Sequence, residues 1–235
     1  MYKRQTYSIA NQTANVFYQI NDKQKIYAGI NGIQSSNLLD NNTFETVEDY
    51  DAVFYNLKYE YLKRSNSILF PVNFAAKITT GFGTRESETT ENQYTLDLNT
   101  SKIFNLNDNN SIFFRLQSQY LISDTYLENE LRRFGGINSI RGFEENSIFA
   151  TLHGTLNTEY RYKFSKGLYL HSIIDAAYFE NKLSNIKEKL FGFGFGFGLL
   201  TKSGLLKFNY ANGKSESQKF KFSDSKIHLS LTTTF

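Results

Sequence analysis

Ser111-Ile112-Phe113-Phe114-Arg115-Leu116-Gln117-Ser118-Gln119-Tyr120 governs how the rest of the chain is read. Ile112, Phe114, Leu116 and Tyr120 share one parity, while Arg115, Gln117 and Gln119 share the other. Successive strand side chains point to opposite faces, so this is a β-strand with one apolar and one polar face. Tyr55, Leu57, Tyr59 and Tyr61 oppose Asn56, Lys58 and Glu60 in the same way. Residues 191–198 are a strict Phe-Gly alternation, and Leu206, Phe208 and Tyr210 then oppose Lys207 and Asn209. A soluble sandwich also alternates, so the pattern by itself leaves the solvent on the apolar face open.

Composition narrows the choice. The 235 residues include 22 Phe, 16 Tyr, 15 Gly and 1 Pro, a balance that favours strands and turns over helices. Mean hydropathy is −0.44, and no stretch approaches the roughly 20 apolar residues of a membrane helix. The absence of cysteine removes disulfide frameworks, thiol nucleophiles and thiolate metal sites, and suits passage through an oxidising periplasm. With 26 basic and 23 acidic residues the net charge is +3, too balanced for a nucleic-acid partner, and no aromatic-interleaved basic patch exists. The first residues, Met1 to Thr6, lack the apolar core of a secretory signal. The expectation is therefore a C-terminal portion, with signal peptide and first domains upstream.

Turn-rich gaps fall near 21–24, 63–67, 105–110, 165–167 and 202–204, and longer polar ones near 35–49, 84–92, 123–147, 181–189 and 213–225. Short and long gaps take turns, as tight periplasmic turns and extended external loops do in an outer-membrane barrel. The pieces give about eleven strands of roughly ten residues each, the length of a tilted membrane strand. Residues before Thr13 read as the remnant of a further strand. The fold class predicted is all-β, an antiparallel transmembrane β-barrel present in part, localised to the bacterial outer membrane. Residues 1–235 form its C-terminal portion, with a long external loop at 123–147 and a last strand at 226–235. In that strand Ile227, Leu229, Leu231 and the terminal aromatic Phe235 share a face.

The longest gap holds Arg133-Phe134-Gly135-Gly136-Ile137-Asn138-Ser139-Ile140-Arg141-Gly142-Phe143. It resembles the Gly-Gly…(Val/Ile)-Arg-Gly-(Phe/Tyr) segment in the sixth external loop of the BamA/TamA superfamily, the bacterial surface antigen family, which folds back into the barrel. Asn157-Thr158-Glu159-Tyr160-Arg161-Tyr162 is similar to that family's glutamate-bearing twelfth strand, and Ile173-Ile174-Asp175-Ala176-Ala177-Tyr178-Phe179 to its aspartate-bearing thirteenth. The family's usual glycine two residues after the aspartate is Ala177 here, which bears on local packing. Gly192, Gly194, Gly196, Gly204 and Tyr210-Ala211 resemble the last hairpin. Counting back from the sixteenth strand places the chain at roughly strands six to sixteen of sixteen. The resemblance also implies upstream POTRA domains, and Ile227, Leu229, Leu231 and Phe235 as a sorting signal.

Parity turns Glu159 inward with Arg161 and Lys163 while Tyr160, Tyr162 and Phe164 face lipid, and sets Asp175 opposite Ile174 and Ala176. Two inward carboxylates on neighbouring strands can hold the planar guanidinium of Arg141 by charge-assisted hydrogen bonds in a geometry lysine does not copy. Gly135, Gly136 and Gly142 then let the loop backbone turn tightly and approach the wall, with Phe143 completing the motif. Against this stands the bland reading: Arg-Gly-Phe as a surface turn, the carboxylates as ordinary lumen charges, the Phe-Gly run as low complexity. Agreement of several elements in order and spacing favours the lumen-loop reading. The runs around Glu86-Ser87-Glu88 and 182–189 read as solvated loops.

His153, His171 and His228 show no metal-ligand spacing, no Gly-x-Ser-x-Gly elbow occurs, and the Phe-Gly run lacks the setting of a phosphate loop. No metal, cofactor or catalytic residue is expected, and the chain is not read as an enzyme. The resemblance implies assembly and insertion of outer-membrane proteins, or protein translocation, without covalent chemistry. Its partners would be outer-membrane lipids, unfolded outer-membrane or exported clients, and accessory lipoproteins or periplasmic subunits. A two-partner-secretion pore for one dedicated protein is the alternative, followed by a passive channel and, more distantly, a barrel enzyme.

Overall fold

The computed structural model describes residues 7–37, 47–216 and 221–233. In chain order the strands are β1 (Tyr7–Asn21), β2 (Gln24–Asn37), β3 (Tyr50–Arg64), β4 (Val72–Glu86), β5 (Thr90–Asn105), β6 (Asn110–Ile122), β7 (Arg132–Phe134), β8 (Ile148–Ala150), β9 (Leu152–Lys163), β10 (Leu168–Asn181), β11 (Ile186–Thr201), β12 (Gly204–Ser215) and β13 (Lys226–Thr232). All except β7 and β8 form one antiparallel sheet of eleven strands, neighbours in space following their order along the chain. β7 and β8 pair as a separate ribbon inside the long loop. β1 and β13 are the two edges, so the sheet is an arc of barrel wall that does not close on itself.

The solvent that alternation left open is decided by what each face carries. Along β9 the buried positions are His153, Thr155, Asn157, Glu159 and Arg161, every one polar, whereas Leu156, Tyr160 and Tyr162 are exposed. On β10 Asp175 is 1% exposed and its neighbour Ile174 is 55% exposed. In water such an inverted wall would strand apolar surface; in a bilayer the outward face meets hydrocarbon and the inward face a polar lumen. Phe82 of β4 packs on Tyr94 of β5 near one end of the wall, and Phe104 of β5 on Phe114 of β6 near the other, with ring centroids 5.0 Å and 5.9 Å apart. Between Tyr94 and Phe104, ten residues at about 3.4 Å and a tilt of about 40° span about 26 Å, the height of an outward apolar band.

The strands are longer than the sequence reading had them: β1, β3 and β4 have 15 residues and β5 and β11 have 16. The segment before Thr13 is no separate remnant, since Tyr7 onward belongs to β1. Nor do short and long connections strictly take turns. The gap assigned to 84–92 shrinks to residues 87–89 and that at 181–189 to 182–185, while the supposedly tight turn at 63–67 occupies 65–71. The reason is physical: beyond the apolar band both faces of a strand are polar, so alternation fades and strand reads as loop.

Phe193 is on the outward face in register with Ile174. Phe193→Arg should destabilise the membrane-embedded protein by about 2–4 kcal/mol, read as a lowered urea midpoint of the full-length protein in lipid vesicles, whereas Gln117→Lys on the lumen face should leave that midpoint in place.

Candidate functional site: the lumen loop and its anchors

Residues 123–151, longer than the 123–147 expected from the sequence, connect β6 to β9 and pass through the inside of the arc. Gly135, Gly136 and Gly142 take φ values of 117°, 91° and 91°, a region closed to most side chains. The amide of Gly136 donates to the Ile140 carbonyl at 3.0 Å and that of Ser139 to the Gly136 carbonyl at 3.2 Å, a tight reversal that delivers Arg141 to the wall. Ile140, fully buried, packs with Phe134, Ala150, Ala177, Phe179 and Leu190, with Phe143 and Ile148 alongside. The methyl of Ala177, where the resemblance expected glycine, is absorbed into this cluster.

Arg141 is 3% exposed. Its backbone N–H and Nε donate to Asp175 Oδ2 at 3.1 and 2.8 Å, its Nη2 donates to Asp175 Oδ1 at 2.6 Å, and its Nη1 pairs with Glu159 Oε1. Three N–H groups of one residue are thus spent on a single carboxylate, and the second carboxylate takes the remaining arm. Burial works against the charge of Arg141, but the Asp175 hydrogen bond and the two carboxylate charges outweigh it and hold the guanidinium protonated above its ordinary range. Glu159 Oε2 also accepts from Arg161 Nε at 2.7 Å, and the Arg161 guanidinium lies 3.9 Å from the Phe113 ring centre and 5.0 Å from that of Phe70. Phe70 belongs to the 65–71 turn, which tucks inward against Tyr169. Asn157 donates to the Ser139 carbonyl at 2.6 Å and accepts from Arg115 Nε at 2.9 Å.

The seat for the loop is cut by glycine. A Cβ on Gly192 would overlap the carbonyl oxygen of Arg141, and one on Gly142 would run into the backbone of Asn212 and Gly213. Past the arginine, the Gly142 N–H donates to His228 Nε2 at 3.2 Å and Glu144 pairs with Lys226 at 3.0 Å, so the loop touches the last strand. Of the C-terminal residues singled out in the sequence, Ile227, Leu229 and Leu231 point outward together on β13 and are strongly exposed. Phe235 lies outside the described residues.

Sequence reasoning missed a second cluster where the loop leaves β6. Glu130, in a single 3-10 turn (Glu128–Glu130), accepts from Arg85 Nη1 at 3.0 Å, Gln93 Nε2 at 2.8 Å and the Leu127 N–H at 2.9 Å. Arg85 also donates to Thr125 Oγ1 at 2.8 Å, and Asn129 donates to Ser35 Oγ and the Glu48 carbonyl, each at 2.8 Å. Burial pushes the Glu130 carboxyl above its ordinary value despite the opposing pull of Gln93, Leu127 and Arg85. Arg85 falls in the polar gap expected near 84–92, but the structure places it at the end of β4. The inward parity of Thr79 and Gly81, carried on by two and four residues, was the signal that would have put it inside.

The family model of the haemolysin secretion/activation protein ShlB/FhaC/HecB matches residues 5–199. No curated protein matches the chain in sequence. Among solved structures, BamA from Haemophilus ducreyi lacking POTRA domains 1–3 is similar with a TM-score of 0.73 at 14% identity, over 95% of this chain and 53% of that one. CdiB from Acinetobacter baumannii is similar with a TM-score of 0.65 at 15% identity, over 95% of this chain and 42% of that one. The chain thus spans about half the length of these neighbours.

Removing one member of a buried ion pair leaves the others uncompensated, at a cost of about 3–5 kcal/mol. Arg141→Ala should therefore loosen loop and barrel, lowering the temperature of heat-modifiable migration and raising protease sensitivity; an unchanged mutant would remove Arg141 as the pin. Arg141→Lys should recover only part of the loss, because an ammonium does not reproduce the fork on Asp175. Separately, Gly192→Val should displace the loop and give the Arg141→Ala phenotype with the arginine intact.

Proposed function

We propose that this chain, which belongs to the haemolysin secretion/activation protein family ShlB/FhaC/HecB, forms wall and lumen loop of an outer-membrane pore that exports a dedicated protein without covalent chemistry. The observation that carries this reading is the extent of the family match: it runs through the lumen loop, Glu159 and Asp175 as one unit. The sequence alone had put assembly of outer-membrane proteins first and dedicated secretion second. A family described by secretion and activation reverses that order.

The physics of the lumen supports it. An extended polypeptide crossing a membrane needs hydrogen-bonding partners along its way, and the inner face supplies Asn, Gln, Thr and charged side chains while the outer face is apolar across the band between its aromatic girdles. A loop held inside by hydrogen bonds and ion pairs, with no covalent link, is an element that a passenger can displace or share space with. Domains upstream of the chain, of the POTRA kind, would receive the client, and Ile227, Leu229 and Leu231 with Phe235 would be read by the cell's barrel-assembly machinery. Outer-membrane lipid, the exported client and accessory lipoproteins or periplasmic subunits are the partners of this reading.

Assembly of barrel proteins is the second reading, favoured by the likeness of the fold to BamA. Deleting the gene in its host and quantifying outer-membrane and secreted proteins by mass spectrometry separates the two. Loss of one secreted protein with the barrel proteins unchanged is the expected result. A broad fall in barrel proteins would replace export by assembly, and no change in either would overturn both.

A further inference from the structure

We infer that Glu130 is a second and independent anchor of the lumen loop, a positioning residue that holds the loop's first limb over the β2–β5 wall whether or not Arg141 is seated. The two anchors share no residue and no strand. Glu130 and Asn129 are held by Arg85 on β4, Gln93 on β5 and Ser35 on β2. Arg141 is held by Glu159 on β9 and Asp175 on β10, and β6 stands between the two groups. They also differ in depth: Arg85 and Gln93 are near the paired ends of β4 and β5, whereas Asp175 is midway along β10.

Between the anchors the limb carrying β7 spans a polar cavity of about 570 Å³, whose walls include Asn56, Lys77, Asp97 and Gln117 from the sheet and Arg132 and Asn138 from the limb itself. A segment fastened at both ends of a span by contacts that share no partner stays attached at one end when the other is freed, so each contact reports its own end of the limb. Arg85 is 1% and Asn129 2% exposed, so the upper contact is a closed polar joint and not a pair of surface charges. In a buried joint of this kind each hydrogen-bonded partner is needed by the other, since an orphaned charge has no water to turn to. The position of the limb across the cavity is thereby set by Glu130, and the position of the Arg-Gly-Phe segment against the last strands by Arg141.

The chain has no cysteine, so engineered pairs report without background. In the full-length protein in native outer membranes, S35C/N129C, which gives up the Asn129 bonds and keeps Glu130 on Arg85 and Gln93, reports the upper anchor, and E144C/K226C, which gives up one exposed ion pair and keeps Arg141 on its carboxylates, the segment after Arg141, each bridged by a short bifunctional thiol reagent. Arg141→Ala should cut the 144–226 yield at least fivefold and leave the 35–129 yield within twofold. Glu130→Ala should do the reverse, and Glu130→Gln, which keeps an acceptor oxygen toward Leu127 and Arg85, should retain at least half of the 35–129 yield. Heat-modifiable migration identifies any variant that fails to fold, and Arg85→Ala, expected to cut the 35–129 yield and spare the 144–226 yield as Glu130→Ala does, then carries the comparison. Loss of both links in either single variant would make the loop one cooperative unit and overturn the inference, as would no change in either link. The measurement needs no export, so failure of the secretion reading and failure of this one are distinguishable.

Discussion

The guanidinium of Arg141, gripped by Asp175 and Glu159 inside the arc, is the interaction around which the rest is arranged. A charge in that position is tolerable only if every N–H finds an acceptor, and the fork geometry of arginine matches one carboxylate with two parallel bonds while leaving an arm for another. Much of the surrounding sequence follows from meeting that demand. Gly142 and Gly192 remove the Cβ atoms that would hold the backbone off the wall, and Ile140 with Phe134 and Phe179 supplies an apolar buttress beside the polar clasp. Glu159 extends the clasp to Arg161, whose guanidinium rests on the ring of Phe70 in the turn at the opposite mouth. A polar chain of contacts thus runs from the loop to the far end of the lumen.

The wall inverts the arrangement of a soluble protein, and that inversion is what made it readable. Where a strand crosses the apolar layer, outward residues must be apolar and inward ones polar, so the alternation at Ser111–Tyr120 and along 191–198 is enforced twice over. The count of eleven sheet strands, the parity of Glu159 and Asp175 and the inward path of the loop motif were legible for that reason, the last through resemblance and not through periodicity. The boundaries were not. Above Tyr94 and Phe82 the outward positions are Thr90, Asn92, Thr84 and Glu86, polar on the side where an apolar residue would mark a strand, and the eye sees a loop.

The Glu130 anchor escaped for a related reason. Its partner Arg85 is 45 residues away in sequence, in a stretch whose polarity suggested solvent, and no motif announces a carboxylate that is matched only by folding. Ala177 shows the converse: a departure from the pattern expected at that position is accommodated because the residue faces the apolar buttress and not the charge cluster.

The polar extension of β4 and β5 has a geometric outcome. From the Phe82–Tyr94 girdle to the end of each strand there are four further residues, about 10 Å of height at the tilt of a membrane barrel. On this side the wall stands above the apolar layer like a parapet, with Glu130 and its partners set into its inner lip. The mouth consequently opens clear of the lipid headgroups on this side, into a different medium from the one that surrounds the wall below.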